Sequence, residues 1–269
     1  MTVRGDSGGS MRLASKVAIV TGAGAGIGRA SALRFAAEGA HVVAADIDDA
    51  SVQEMVSMSS TQASGSIRAC QVDVASAASV EALITTTLEQ HGRLDVLFSN
   101  AGIQLDGNAI DLPEEDWDRM FAVNVKGAFL CAKYGIPAMI ASGGGSFLIT
   151  ASVNSFYAES DIAGYSATKG AVMQLTRAMA IDHGPGGVRV NCICPGWTET
   201  AMSKPYLEEN PKGREFAAKI APSGRIGQPE DIASVALFLA SDESGFVNGA
   251  AWNVDGGWTA GMTKAIALV

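Results

Sequence analysis

Three residues that could exchange protons lie close together past the middle of the chain. Ser152 comes first, Tyr165 follows thirteen positions later, and Lys169 four positions after that. If residues 161–183 form a helix, Tyr165 and Lys169 lie one turn apart on the same face. A free tyrosine has a pKa of about 10, and a cation within about 4–6 Å can lower a neighbouring pKa by about 1–3 units. The pair could therefore supply a general base near neutral pH. Because this spacing is short, it also fits an ordinary helix, and the rest of the chain must decide.

The overall composition bounds the class of protein. With 269 residues, 48% of them hydrophobic, the chain can bury a sizeable core in a single α/β domain. We expect residues 13–269 to form that domain and residues 1–12, which lack a hydrophobic signal region, to form a short flexible tail. The sequence also lacks an apolar run of the about 18 residues that a membrane span needs.

Charge and metal-ligating residues narrow the class of partner. The net charge of −9 is opposite to the basic face that a nucleic-acid groove requires. The four cysteines do not have the CxxC spacing of a structural zinc site, and Cys192 and Cys194 are interpreted as core residues on one face of a strand. We therefore expect a cytoplasmic protein that binds a small molecule, without a metal, a nucleic acid or a membrane.

Apolar strands alternate with helices along the whole chain. Helices are predicted from Gly26, from Asp49, from Ser76 to Gly92, from Pro113 and from Pro229, and the helix after Pro113 carries Asn124. This alternation predicts an α/β fold with a doubly wound, seven-stranded parallel sheet of the Rossmann type. The predicted strands are near-continuous apolar runs, as in a sheet covered on both faces; they lie in KVAIVTG, HVVAAD, SIRACQVD, RLDVLFSNAG, GGGSFLITAS, GVRVNCICPG and GAAWNVDGG.

A glycine-rich loop, TGAGAGIG at residues 21–28, follows the first strand and opens the first helix. Glycines in such a loop let the backbone turn tightly and approach a pyrophosphate, which the helix N-terminus attracts. The loop is not followed by GKS or GKT, which disfavours a P-loop. We interpret it as the phosphate-binding part of a nucleotide site, formed by Gly22, Gly24, Gly26, Ile27 and Gly28.

An acidic residue, Asp46, ends the second strand eighteen residues beyond Gly28. A carboxylate there can accept hydrogen bonds from the adenosine ribose and would repel a 2′-phosphate. Ala25 and Ile47 offer no cation that would bind this phosphate, and Arg29 is placed inside the helix. The pattern favours NAD over NADP, with Asp46 and Ile47 beside the ribose; in the alternative interpretation Asp46 only caps a turn.

Together these motifs resemble the short-chain dehydrogenase/reductase family over residues 13–258. Each motif is common by itself, but their joint order is specific to that family. The matching motifs are TGxxxGIG at 21–28, Asp73-Val74, Asn100-Ala101-Gly102, Asn124 in VNVKG, Ser152, Tyr165-x-x-x-Lys169, Pro195-Gly196 and Val254-Asp255-Gly256-Gly257.

The resemblance implies a catalytic role for four residues. Tyr165 would take a proton from an alcohol or give one to a carbonyl, and hydride would pass to or from the nicotinamide of the cofactor. Lys169 would lower the pKa of the tyrosine and hold the nicotinamide ribose. Ser152 would hydrogen-bond the reacting oxygen, and Asn124 would orient a water that links Lys169 to solvent.

The resemblance also implies further contacts to the cofactor and an assembly. Asp73 would meet the adenine amino group, Val74 the adenine ring, and residues 100–102 the body of the cofactor. After strand six, the nicotinamide would be flanked by Pro195, Gly196 and Thr198. Either Thr198 or Thr200 could bond its carboxamide or the phosphates. Family resemblance suggests a homotetramer in which the two long helices pair across subunits.

The segment 199–221 differs from the rest in its charged and Pro-containing composition. It lies where the family carries a substrate lid, which would exclude water from hydride transfer; the alternative is a surface loop without a role. Polar candidates for the substrate site would suit a sugar or polyol, and aromatic ones a cyclic or aromatic alcohol, and both classes stay open. These candidates are Gln104, Ser152, Asn154, Glu159, Trp197 and Tyr206.

Three functions are compatible with a nucleotide-binding sheet. The first is an NAD-dependent oxidoreductase that interconverts a secondary alcohol and a ketone. The second is a catalytically silent NAD-binding sensor or scaffold, which predicts a damaged catalytic set, whereas all four residues are present. The third is a methyltransferase, which explains neither Tyr-x-x-x-Lys nor the Asn-Ala-Gly motif. Because one fold hosts many functions, the catalytic residues favour the oxidoreductase.

Overall fold

Seven parallel strands form one sheet in the computed structural model, which describes residues 11–58 and 65–261. The sheet order is β3-β2-β1-β4-β5-β6-β7. Every residue of β1 and β4 is buried, as expected for strands covered on both faces. The predicted doubly wound sheet is therefore confirmed. The strands are β1 Val17–Thr21, β2 His41–Asp46, β3 Ser66–Gln71, β4 Val96–Ser99, β5 Gly145–Thr150, β6 Val188–Pro195 and β7 Ala251–Val254.

Helices cover both faces of the sheet with two apolar layers. The buried side chains of α1, α2 and α9 pack on one face, and those of α3, α5 and α6 pack on the other. Among the described residues the helices are α1 Gly26–Ala37, α2 Asp49–Met58, α3 Ala77–His91, α4 Glu114–Met120, α5 Gly127–Ala141, α6 Ala163–His183, α7 Lys204–Glu209, α8 Pro211–Ile220 and α9 Pro229–Ala240. None of these helices is long and apolar enough to cross a membrane.

The chain reverses its direction of travel across the sheet between β1 and β4. Strands β1 to β3 run outward to one edge, and β4 to β7 run outward to the other. The loops that follow β1 and β4 therefore diverge and leave a crevice at the carboxyl ends of the strands. The predicted functional residues follow these strand ends, so the topology brings them to one side of the sheet.

Two predicted helices differ from those in the structure, one at its first residue and one in its interior. The helix predicted from Asp161 begins at Ala163, because Asp161 adopts a left-handed backbone conformation with φ 60° and its carbonyl accepts the Gly107 N–H. The long helix after Pro113 is not uniform: a π-helical turn, Phe121–Lys126, joins α4 to α5. Such turns occur mainly at functional sites, and this one contains Asn124.

The predicted flexible tail is too long at its inner end. Residues 1–10 and 262–269 lie outside the described residues, but Arg12 is held by the fold. Its backbone N–H donates to the Glu38 carboxylate, and its guanidinium forms two bonds, of 2.6 and 2.8 Å, to Glu243. Segment 199–221, expected as a lid, is mostly helical and contains α7 and α8.

Candidate active site

Tyr165 and Lys169 lie in the first two turns of α6, at the carboxyl end of the sheet. The Lys169 Nζ atom lies 5.4 Å from the centroid of the Tyr165 ring. The lysine is only 4% exposed and its Nζ donates a 2.8 Å hydrogen bond to the Thr150 carbonyl at the end of β5. The ammonium is therefore held between helix and strand.

Ser152 follows β5 and is the N-cap of a short 3-10 turn, Val153–Ser155. Its Oγ accepts the Asn154 backbone N–H at 3.1 Å and donates to the Asn154 Oδ1 atom at 2.9 Å. The serine also lies close enough to Tyr165 to lower the pKa of the phenol. The structure thus brings together the serine, tyrosine and lysine that the sequence placed apart.

Burial raises the pKa of Tyr165 and lowers that of Lys169, in each case favouring the neutral form of the side chain. The pKa of Tyr165 is raised to about 12. Burial is the largest cause and the charge of Glu159 adds to it, and together they outweigh the lowering by Ser152. Burial also lowers the pKa of Lys169 to about 8. The expected lowering of the tyrosine pKa by the adjacent ammonium is therefore wrong: the pKa is raised, because desolvation disfavours the phenolate.

Asn124 lies in the π-helical turn and is 4% exposed. Its side-chain oxygen accepts the Ile103 N–H at 2.8 Å, and its amide donates to the Ile103 carbonyl at 2.9 Å and to the Thr168 hydroxyl at 3.0 Å. Both amide hydrogens are thus bonded to protein groups. The side chain braces the loop after β4 against α6, so the water expected beside Asn124 would need the backbone carbonyl.

The glycine loop ends at the N-terminus of α1, where an anion could bind. The N-cap residue Ala25 carries a methyl group that cannot accept a hydrogen bond, and the first turn consists of glycine and isoleucine. The first amides of the helix are therefore available to a phosphate. Gly28 must be glycine, because a Cβ there would lie 2.0 Å from the Gly22 carbonyl oxygen.

Asp46 ties the end of β2 to this loop. Its Oδ2 atom accepts the Gly24 N–H at 2.9 Å, and its Oδ1 accepts the Asp48 N–H at 3.1 Å. Arg29 corrects an expectation: although it belongs to α1, its Nε donates to the Gly24 carbonyl at 2.8 Å. Its guanidinium also lies 3.6 Å from Glu54, so the cation reaches the loop but is partly neutralised.

Asn100, directly after β4, connects the end of β1 with the end of β5. Its amide nitrogen donates to the carbonyls of Thr21 and Gly22, and its oxygen accepts the Thr150 hydroxyl at 2.9 Å. Next to it, Ala101 packs near Gly22, and a Cβ on Gly102 would lie 3.5 Å from Lys169 Nζ. The Asn-Ala-Gly motif therefore lies between the glycine loop and Lys169 and connects them.

The remaining predicted cofactor residues lie at the same carboxyl end of the sheet. Of the two threonines left open by the sequence, Thr200 lies over the glycine loop, since a Cβ on Gly26 would be 3.2 Å from its side chain. Thr198 instead donates to the Gly196 carbonyl and pairs with Gly227. Further members are the exposed Ile47, the core-packed Ile27, Asp73, the buried Val74, and Pro195 at the end of β6.

The predicted substrate residues separate into three groups. Asn154 donates to Glu159 at 2.9 Å beside Ser152. The rings of Trp197 and Tyr206 stack on each other at 5.3 Å and hold α7 against the end of β6. Gln104 is exposed and donates to Asp106 rather than joining the other two groups.

Several contributors to the site were not predicted. Trp258 and Tyr157 pack edge to face at 5.7 Å, and Trp258 forms an apolar cluster with Val153 and Ile220 next to Ser152. The only sequence signal for Trp258 is an aromatic residue directly after the VDGG turn. Thr150 and Thr168, which bond Lys169 and Asn124, carry no sequence signal, because those contacts join separate elements.

Comparisons with known proteins agree with this architecture. A family model described as enoyl-(acyl carrier protein) reductase matches residues 22–259. The meso-2,3-butanediol dehydrogenase of Serratia marcescens is 40% identical over 250 residues, which cover 93% of this chain and 97% of that protein. The structure of levodione reductase is 33% identical with a TM-score of 0.89, covering 93% of this chain and 99% of that one.

A second solved structure bears on the cofactor. It is an NAD(P)-dependent gluconate 5-dehydrogenase candidate from Beutenbergia cavernae with bound NADP at low occupancy, 37% identical with a TM-score of 0.86. The matched region covers 94% of this chain and 100% of that one. With these matches along nearly its whole length, the chain belongs to the short-chain dehydrogenase/reductase family of oxidoreductases.

Proposed function

We propose that this protein interconverts a secondary alcohol and the corresponding ketone, with Tyr165 as the general acid and base. The observation that carries the proposal is the convergence of three side chains at one strand end: Ser152 reaches the Tyr165 hydroxyl, and Lys169 Nζ lies 5.4 Å from the tyrosine ring. A substrate oxygen placed between Ser152 and Tyr165 would exchange its proton with the phenol.

The neighbouring residues support the movement of that proton. A buried amine with a pKa of about 8, as at Lys169, can take up or release a proton near neutral pH. Its bond to the Thr150 carbonyl keeps Nζ beside the phenol. Asn124 links the loop after β4 to α6 through its side chain, and its backbone carbonyl would bind the water that connects Lys169 to solvent.

The residues at the strand ends fit a nicotinamide dinucleotide. The first turn of α1 would bind the pyrophosphate, Asp73 and Val74 the adenine, and Lys169 the nicotinamide ribose, while Tyr165 would lie beside the ring. When bound, the cofactor supplies the hydride acceptor and a positive ring charge. Residues 100–102, Pro195, Gly196, Thr198 and Thr200 would line the remainder of the site.

We favour NAD as the cofactor, with NADP less favoured. The Asp46 carboxylate lies at the end of β2, bonded to the Gly24 N–H, where a ribose 2′-phosphate would meet its negative charge. Ile47 next to it is 65% exposed and brings no positive charge. The contact of Arg29 with the Gly24 carbonyl is the one feature that would help NADP, and its pairing with Glu54 weakens that effect.

A catalytically silent sensor or scaffold is the alternative function. It would tolerate losses in the catalytic set, but Asn124, Ser152, Tyr165 and Lys169 are all present, and the last three meet in one crevice. A protein that only senses the cofactor has no need to bury a lysine beside a tyrosine, since desolvating both groups costs free energy. The geometry therefore favours the enzyme.

The substrate would lie between the loop after β5 and the segment 199–221, which we propose acts as a lid. The names of the relatives include a dehydrogenase of a diol and a reductase of levodione, consistent with alcohols and ketones. Asn154 and Glu159 offer polar contacts, while Trp197 and Trp258 offer aromatic ones. These two groups correspond to the polyol and the cyclic or aromatic substrates left open by the sequence.

We further propose a cytoplasmic homotetramer. An apolar groove between the π-helical turn and α6 includes Phe129, which is 49% exposed. The other apolar residues of the groove are Phe121, Ala122, Val125, Ala171, Leu175 and Ala178. Pairing of these long helices between two subunits would cover the groove.

Alcohol oxidation by Tyr165→Phe tests the proposed function. The wild type should form NADH with at least one member of a panel of polyols, sugars and cyclic secondary alcohols. The variant keeps the ring but loses the ionisable hydroxyl, so turnover should fall by about 10²- to 10⁴-fold, the contribution of a general acid or base. The NAD dissociation constant, measured by titration calorimetry, should change by less than about threefold. Near-normal turnover in the variant would refute the role of Tyr165.

A further inference from the structure

Three side chains form a hydrogen-bonded chain that ends on the catalytic serine. The Ser152 hydroxyl donates to Asn154 Oδ1 at 2.9 Å, and Asn154 Nδ2 donates to Glu159 Oε2 at 2.9 Å. The amide also donates to the Tyr157 carbonyl at 3.3 Å. Because both ends of the amide are bonded, the position of the Glu159 carboxylate relative to Ser152 is well defined.

One oxygen of this carboxylate is left for another partner. Oε2 accepts from Asn154, whereas no group among the described residues donates to Oε1. The carboxylate is partly buried, and burial raises the pKa of Glu159. Its charge is also felt by Tyr165, whose pKa it raises. This partly buried carboxylate therefore has one oxygen that can accept a hydrogen bond from a ligand beside the reacting groups.

The distances suit a donor on the carbon next to the reacting one. Through Asn154, the path from Ser152 Oγ to the Glu159 carboxylate spans two hydrogen bonds of 2.9 Å and one amide group, at most about 8 Å. Two hydroxyls on adjacent carbons lie about 3 Å apart in a staggered arrangement. With one hydrogen bond to Ser152 and one to Glu159, such a pair covers the same span.

We propose that Glu159 is the specificity-determining residue for a second hydroxyl, so that the substrates are vicinal diols and the α-hydroxyketones formed from them. This inference rests on the proposed alcohol oxidation and names its substrate class. Ser152 and Tyr165 engage the reacting oxygen, and Glu159 Oε1 accepts the hydrogen of the neighbouring hydroxyl.

The charges around the site disfavour the other polar substituents. A substrate carboxylate beside the carbinol carbon would meet the like charge of Glu159. A substrate ammonium would pair with Glu159 but would also lie near the buried Lys169, which carries a positive charge below a pH of about 8. A neutral hydroxyl satisfies the free oxygen without either repulsion.

Four alcohols with the same three-carbon skeleton test this inference: propan-2-ol, propane-1,2-diol, 1-aminopropan-2-ol and lactate. The wild type should oxidise the diol with a kcat/KM about 10- to 100-fold above that of propan-2-ol, the range of a hydrogen bond to a charged group. Lactate and the amino alcohol should be poorer substrates than the diol. A preference for the amino alcohol, or equal use of diol and propan-2-ol, would overturn the inference.

Glu159→Gln is the matched variant, because its amide oxygen can still accept from Asn154 while an NH2 group replaces the free acceptor. We expect the ratio of kcat/KM for the diol to that for propan-2-ol to fall to about 1, and lactate oxidation to rise relative to propan-2-ol oxidation. An unchanged diol preference overturns the inference, as does equal loss of both alcohols in Glu159→Gln and in Glu159→Ala at unchanged Tm, which would make Glu159 a support for the loop.

The controls separate this inference from the proposed function. Tyr165→Phe should lose the oxidation of propan-2-ol and of the diol alike, whereas Glu159→Gln should lower the ratio of diol oxidation to propan-2-ol oxidation. If the wild type oxidises propan-2-ol without favouring the diol, the alcohol dehydrogenase function stands and only the role of Glu159 falls. If the wild type oxidises none of the four alcohols but oxidises a cyclic alcohol of the wider panel, this inference falls and the alcohol dehydrogenase function stands; if it oxidises no alcohol of either set, both are contradicted.

Discussion

Tyr165 and Lys169 are buried side by side, and this burial disfavours the charged form of each side chain. The pKa of the phenol is raised to about 12 and that of the amine is lowered to about 8, in both cases chiefly by burial. Below a pH of about 8 the amine is charged while the phenol keeps its proton, so the phenol is a weak base even beside this ammonium. Catalysis of alcohol oxidation therefore needs an additional positive charge near the phenol, which a bound oxidised nicotinamide would bring.

Asp46→Asn tests the proposed choice of cofactor at the scale of one side chain. The amide oxygen can still accept the Gly24 N–H, so the variant removes the charge while it preserves the loop contact. Without that charge, a 2′-phosphate is no longer repelled and Arg29 lies within reach of the loop. We expect the ratio of kcat/KM for NAD to that for NADP to fall by about 10- to 100-fold.

Asp49→Asn provides the control for this change, because it removes an equal charge from the first turn of α2. Its ratio of NAD to NADP activity should stay within about twofold of the wild type. An unchanged ratio in Asp46→Asn would remove this residue from cofactor selection.

At this scale the sequence could predict which residues meet, but not how their environment alters them. The spacing of Tyr165 and Lys169 placed them on one face of a helix, and the structure agrees. The direction of the tyrosine pKa was wrong, because the number of apolar atoms around a side chain is a property of the packed core. The bond from Asn154 to Glu159 was likewise invisible, since it depends on the path of the loop.

At the scale of elements, an ion pair within the proposed lid joins Arg214 on α8 to Glu199, the first residue of the lid, in the loop after β6. Arg214→Ala would release α8 from that loop. We expect KM for cofactor and alcohol to rise by about 3- to 10-fold in steady-state assays. The free energy of unfolding, measured in urea, should fall by less than about 1 kcal/mol, since the pair is largely exposed.

Lys219→Ala is the matched control on the same helix, where Lys219 pairs with Glu215 within α8. It removes the same charge without releasing the helix from the loop after β6, so KM should be unchanged. Equal KM values in the two variants would show that the tether has no part in closing the site.

The elements themselves were largely predictable, and the exceptions have local causes. Ser76 and Gly92 bound α3 as their types suggest: the Ser76 side chain accepts the Ser79 N–H, and Gly92 adopts φ 72°. The π-helical turn at Asn124 could not be predicted, because its cause is the set of bonds from that side chain to Ile103 and Thr168. Those bonds join positions 21 and 44 residues apart in the chain.

At the scale of the whole molecule, the alternation of strands and helices was enough to predict the parallel sheet. The residues that follow β1, β4, β5 and β6 then had to gather at one end of it. Sequence alone does not give the width of the crevice or the partners of the exposed Phe129 surface. Those depend on how the helices pack and on contacts with other subunits.

The apolar groove around Phe129 makes a prediction about assembly. Size-exclusion chromatography with light scattering should give the wild type four times the 27.6 kDa mass of one chain. Phe129→Glu places a charge in the groove and should reduce the mass to that of two chains, because one of the two kinds of interface in such a tetramer is lost. Phe216→Glu, at a similarly exposed phenylalanine on α8, should leave the mass unchanged; equal masses for all three proteins would contradict a role for the groove.

The central claim, that Tyr165 takes the proton from the alcohol, is tested most directly by the pH dependence of single-turnover alcohol oxidation with saturating NAD. Only the phenolate can accept the proton, so the rate should rise by about tenfold per pH unit below the tyrosine pKa in the complex. The positive nicotinamide charge should hold that pKa below the value of about 12 to which burial raises it. The rise should be absent in Tyr165→Phe. A wild-type rate that stays constant from about pH 6 to 10, with hydride transfer rate-limiting, would contradict the claim.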